Sequence, residues 1–127
     1  MSDQGGGDGR FRRAVRRITS DDAQRESDQL MERAERGGAT TVARCGEREN
    51  VTVLGTVRAL TLRPRAGTPA LEVDLYDGSG TVTLVWLGRR EIAGVTPGRQ
   101  LRATGRITST DGGRRVIFNP RYELVLA

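Results

Sequence analysis

The spacing of apolar and polar positions changes period once along the chain. Residues 1 to 10, MSDQGGGDGR, offer almost nothing to bury and read as a disordered tail. In FRRAVRRI, Phe11, Val15 and Ile18 fall at i, i+4 and i+7, with Arg12, Arg13, Arg16 and Arg17 between them. That is one apolar stripe on a basic helical turn, able to grip phosphates, lie on an anionic membrane surface or dock on the rest of the chain. Residues 1–19 are therefore expected to be a disordered, basic tail. Thr19 and Ser20 are good N-caps, and Asp21 and Asp22 complement the dipole of a helix beginning there. The helical pattern stops at Gly37-Gly38, a C-cap signal, which predicts a helix over 20–37. Its stripe is thin (Ala23, Leu30, Met31, Ala34), and six acidic groups outnumber three Arg. Residues 38–50 read as a linker.

From Val51 the period becomes two, the signature of half-buried strands. Five strands are predicted: VTVLGTVRALTLR (51–63), ALEVDLYD (70–77), TVTLVWL (81–87), QLRATGRIT (100–108) and RVIF (115–118). In the second, Leu71, Val73 and Leu75 alternate against outward Glu72, Asp74 and Tyr76. In the third, Val82, Leu84 and Trp86 alternate against Thr81, Thr83 and Val85. In the fourth, Leu101, Ala103 and Ile107 alternate against Arg102, Thr104 and Arg106. Gly and Pro turns separate the strands, among them Asp77-Gly-Ser-Gly, where Asp caps local amides. Gly55, inside the long first strand, suits a bend or bulge that lets one strand serve both halves of a barrel. GRREIAGVTPG (88–98) is too long for a hairpin, and Ile92 and Val95 could plug a barrel end. The expected fold is all-β: a five-stranded Greek-key barrel over 51–126, with an N-terminal α-helix and a disordered tail. A capping element after strand three is the plan of the OB-fold.

Absent residue types narrow the chemistry. The chain has no His and no Lys, so its 21 basic residues are all Arg. This excludes an imidazole base, a Ser-His triad, a Walker lysine and Schiff-base catalysis. Asp74 and Asp77 sit on a strand and its turn and are not expected to converge on a metal. The chain is read as non-catalytic, with no cofactor and no metal. Cys45, the one cysteine, cannot form an internal disulfide. Arg44 and Arg48 nearby would favour its thiolate, yet a buried or tolerated thiol is the plainer reading. A net charge of +5 favours polyanionic partners, and guanidinium forks bind phosphate bidentately. No stretch approaches a membrane span, and the N-terminus lacks a secretory apolar core. A cytoplasmic protein without integral membrane association is expected.

Four segments carry a resemblance: VTVLGTV (51–57), LEVDLYDGSGTVTLVW (71–86), PGRQLRATGRI (97–107) and NPRYEL (119–124). Over roughly three fifths of its length the chain resembles OB-fold nucleic-acid-binding domains of the tRNA-anticodon-binding type, in particular the wedge domain of the helicase RecG. It is similar to small stand-alone OB-fold proteins of actinobacteria. The resemblance implies binding along the outer face of strands two and three, between the loops RPRAGTP (63–69) and STDGGRR (109–115). Arg63 and Arg65 would form one rim and Arg114 and Arg115 the other, over a floor of Tyr76 and Thr83. Arg102 and Arg106 on strand four would extend the positive surface. Glu72 and Asp74, on the same face, would repel phosphate. Trp86 has core parity, with a stacking platform as the other option at a strand end; Phe118 and Tyr122 would close the barrel. The implied function is a nucleic-acid-binding module, single-stranded or branched DNA being favoured over RNA, with weak, salt-sensitive affinity. The alternative is a protein-interaction domain whose acidic helix, 20–36, or β face docks on another protein.

Overall fold

Alternating Val, Thr and Leu from residue 50 onward build six strands: β1 (Asn50–Leu62), β2 (Ala70–Tyr76), β3 (Thr81–Leu87), β4 (Gln100–Ser109), β5 (Arg115–Phe118) and β6 (Arg121–Leu124). The computed structural model describes residues 21–34, 36, 38–110 and 112–125; the expected tail and its basic segment 11–18 lie outside them. The strand order is β1-β2-β3-β5-β4, with β4 returning to β1 to close the ring and β6 added on β4. β1 serves both halves, pairing with β4 over Asn50–Thr56 and with β2 over Thr56–Leu62. A Cβ on Gly55 would lie 2.6 Å from the Tyr76 carbonyl oxygen, so only glycine allows the two backbones this close. The register slips between Val57 and Ala59, so the bulge falls at Arg58 and not at Gly55. β5 pairs parallel with β3 and antiparallel with β4. Beyond the five expected strands, β6 continues along β4 after a break at Asn119-Pro120.

Inside the ring, Val53, Val57, Val73, Leu75, Val82, Leu84, Leu101 and Ile117 are buried, and Ile92 and Val95 are buried with them, as the plug reading requires. Trp86 belongs to this core. Its Nε1 donates to the Pro120 carbonyl (3.2 Å), and Tyr122 meets it edge-on at 5.7 Å. Phe118 does not close the barrel: it is 42% exposed, because its place on β5 faces outward.

A helix over residues 21–34, α1, lies against this barrel. Ala34 is buried, the Ser27 hydroxyl hydrogen-bonds the Tyr76 hydroxyl (2.5 Å), and Glu26 pairs with Arg58. Gly78 makes the seat possible. Its φ is +93°, and a Cβ there would fall 2.2 Å from the Ser27 carbonyl oxygen. Residues 38–50, expected as a linker, contribute to the core instead. A short 3-10 turn, Val42–Arg44, is flanked by buried Thr41 and Cys45. Asp77, fully buried, ties it down: one carboxylate oxygen accepts the Val42 N–H (2.7 Å), and the other accepts the Ser79 N–H, the Ser79 hydroxyl and the Gly80 N–H. The local capping expected of Asp77 is present, and the tie to Val42 is added to it.

Candidate nucleic-acid interface

Register decides which side chains share the outer face. Glu72 stands opposite Val85, Asp74 opposite Thr83, Thr83 beside Val116, and Val85 beside Phe118. Between the β1–β2 loop and the β4–β5 loop this face sinks into a cleft of about 520 Å³, whose lining includes Thr61, Arg63, Glu72, Asp74, Thr83, Arg114 and Arg115. Its centre is Glu72, only 5% exposed. A carboxylate at that depth must be matched by cations or donors. Three guanidinium groups supply the match: Arg65 Nη2 at 3.1 Å and Arg63 Nε at 4.0 Å from Oε2, and Arg114 Nη2 at 3.4 Å from Oε1. Arg63 and Arg65 come from one rim and Arg114 from the other, so Glu72 links the two loops across the floor. Arg114 also donates to the Thr83 hydroxyl (3.1 Å), which donates to Asp74 (3.1 Å). Strand alternation makes Glu72 an outward, repelling charge; in the fold it is instead the acceptor on which the rims converge. Each guanidinium keeps a large open area, with side-chain exposures of 59%, 42% and 49% for Arg63, Arg65 and Arg114.

Arg63, Arg65, Arg114 and Thr83 are thus brought together. Arg115 lines the same cleft but has the inward parity of Val82 beside it, and its guanidinium donates to the carbonyls of Val42 and, at 2.8 Å, Cys45. It braces the 3-10 turn. Tyr76 has the expected outward parity, yet α1 reaches its hydroxyl through Ser27 and the Arg58 guanidinium stands 4.7 Å over its ring. It is not part of the cleft lining. Arg102 and Arg106 stand on β4 opposite Leu54 and Asn50 of β1 and do not line the cleft either. Cys45 is buried, donates to the Thr41 carbonyl (3.4 Å), and burial pushes its thiol pKa up despite nearby Arg115.

The closed ring, the doubled use of β1 and the plug after β3 coincide with a match to the OB-fold nucleic acid binding domain of the tRNA-anticodon type over residues 51–125. The chain belongs to this family. Similar solved folds include RecG bound to a three-way DNA junction (23% identity, TM-score 0.51), covering 62% of this chain and 11% of that one. The p204 HINb domain is similar at 18% identity and TM-score 0.57, over 73% of this chain and 50% of that one. A replication protein A heterotrimer bound to single-stranded DNA gives 20% identity and TM-score 0.49, over 65% and 62%. This chain therefore spans a ninth to under two thirds of the chains it is similar to. No curated protein is similar enough to count as a relative. Among the described residues, no helix is long and apolar enough to cross a membrane, and no group of three or more acidic, Cys or His side chains is placed to hold a metal.

One residue of this OB-fold face escapes sequence reasoning. Phe118 stands beside Val85 on the outer side, with the Arg65 guanidinium 5.4 Å from its ring centre. Buried Ala70, Val85 and Val116 form a small apolar floor on the same side. RVIF has apolar residues on both parities, so alternation alone could not orient it. The parallel pairing with β3 orients it.

Proposed function

We propose that this OB-fold is a non-catalytic nucleic-acid-binding module whose site is the cleft between the β1–β2 and β4–β5 loops, with single-stranded or branched DNA favoured over RNA. One observation carries the reading: Arg63, Arg65 and Arg114 converge from opposite rims on one point of the sheet, beside the exposed ring of Phe118. Guanidinium forks take phosphate oxygens bidentately, and an exposed aromatic ring takes a base by stacking. A duplex keeps its bases stacked on one another, so only an unpaired strand offers phosphate and base together to such a site. With one exposed ring in the described face, affinity leans on charge and falls with salt. The branched-DNA preference draws its support from the similar fold in the RecG–junction complex. Thr83 adds a hydroxyl on the floor, Arg115 holds the cleft wall, and Tyr76, Arg102 and Arg106 contribute at most at its margins. The docking-helix alternative is weakened by Glu26 and Ser27, which α1 directs onto its own barrel.

The test is a fluorescence-anisotropy titration of labelled single-stranded, three-way-junction and duplex DNA and single-stranded RNA at two salt concentrations. Single-stranded or junction DNA should bind tightest, and each complex should weaken at the higher salt. Absence of binding to all four at low salt would overturn the reading.

A further inference from the structure

Glu72 occupies the place that a phosphate of the proposed ligand would need. Its carboxylate is 5% exposed and accepts from Arg65 and Arg114, one from each rim, with Arg63 at 4.0 Å. A carboxylate and a phosphate present the same chemistry to a guanidinium: two anionic oxygens spaced for a bidentate fork. We infer that Glu72 is a built-in phosphate surrogate, which holds the two rim loops together and must give up its guanidinium partners before a nucleic-acid backbone can enter; this rests on the cleft being the binding site.

The physics of buried ion pairs supports the exchange. Removing the partners of a buried carboxylate leaves an uncompensated charge, so every phosphate bound by these arginines is opposed by the cost of exposing or abandoning Glu72. That opposition acts on any anion. Glu72 thereby keeps affinity low. Asp74 does not share this role. Its described partner is the Thr83 hydroxyl, and no arginine is paired with it among the described residues.

The experiment compares the unaltered protein, Glu72→Gln, Glu123→Gln and Arg65→Ala, each shown folded by thermal unfolding, in binding to a fluorescein-labelled 20-nucleotide oligo(dT) across a salt series. Glu123 is exposed on β6, outside the cleft, so its substitution makes the same change in net charge elsewhere. Glu72→Gln should bind at least fivefold tighter than the unaltered protein, with a salt slope steeper by about 0.7 for each additional phosphate the arginines engage, and Glu123→Gln should bind within twofold of it. Equal gains in both Gln variants would assign the effect to net charge and overturn the inference. So would unchanged or weaker binding by Glu72→Gln while Arg65→Ala still weakens it; the proposed site would survive that result. Indifference to Arg65→Ala would overturn both. Should Glu72→Gln fail to fold, the side-chain carboxyl resonance of Glu72 in the unaltered protein decides: it must shift as oligo(dT) is added, and a fixed resonance at saturation overturns the exchange.

Discussion

Trp86 and Phe118 are aromatic residues near the same end of the ring, and the side of the ladder each occupies sets what it does. Trp86 lies inward, 6% exposed, with its indole N–H satisfied by Pro120. Trp86→Ala should destabilise the protein by about 3–5 kcal/mol, read as a lower urea midpoint. Phe118 lies outward, and Phe118→Ala should leave stability within about 1 kcal/mol while weakening single-strand binding by about 1–3 kcal/mol, at an unchanged salt slope, because stacking releases no counterions. A loss of stability like that of Trp86→Ala would return Phe118 to the core. Cys45 makes a third residue-scale prediction. Burial raises its pKa above the ordinary 9.0, so the folded chain holds this proton where the unfolded chain releases it. Its contribution to stability is therefore complete below that value and lost as pH climbs through the raised one. Unfolding midpoints should fall above about pH 9 more steeply in the unaltered protein than in Cys45→Ala, and equal slopes would show that the thiol is not protected.

At the scale of elements, α1 and the ring differ in what holds them. β1 is paired along its length, with β4 over one half and β2 over the other, whereas α1 offers one fully buried residue, Ala34, half-buried Ser27, Leu30 and Met31, and an exposed ion pair to Arg58. An isolated helix of this length is marginal in water, so its docking is what keeps it formed. Gly78 controls that docking, since any side chain there would meet the helix backbone and suffer a positive φ. Gly78→Ala should reduce ellipticity at 222 nm and raise amide exchange across 21–34, with protection in β1, β2 and β3 retained. Loss of protection throughout would show that helix and barrel form one cooperative unit. The turn at Asp77 is the counterpart: one carboxylate caps the β2–β3 turn and accepts the buried Val42 N–H, so the stretch before the barrel is bound to it by a buried hydrogen bond.

For the molecule as a whole, the distribution of charge matters more than its sum. Twenty-one arginines give a net +5, yet only Arg63, Arg65 and Arg114, among the described residues, gather around the carboxylate at the cleft centre. Replacing Arg63 and Arg65 together by Ala should lower the slope of log K against log salt by about 0.7 for each phosphate that is no longer bound. Arg102→Ala with Arg106→Ala should change it by less, because β4 carries both away from the cleft. An equal change from the two pairs would mean that the strand follows a path around the barrel instead of through the cleft.

Much of this architecture was legible in the order of residues. Period-two alternation located the second, third and fourth strands, and the Gly and Pro turns set off the first and the short fifth. Gly55 pointed to β1 serving two halves of the ring, and Asp77-Gly-Ser-Gly pointed to a capped turn, because each depends on chemistry within a few residues of itself. The rim arginines were nominated by the resemblance to OB-folds, which points to the loops on either side of the outer face of strands two and three. Local pattern could not say that Glu72 would be buried among three of them, that Arg115 would turn inward to brace residues 42–45, or that α1 would cover Tyr76. Nor could it choose a side for Phe118. These outcomes depend on segments far apart in sequence meeting in space: β3 against β5, the β1–β2 loop against the β4–β5 loop, and α1 against the β2–β3 turn. A side chain's own residue type sets which partners it can accept, but the closing of the ring decides which of those partners come within reach.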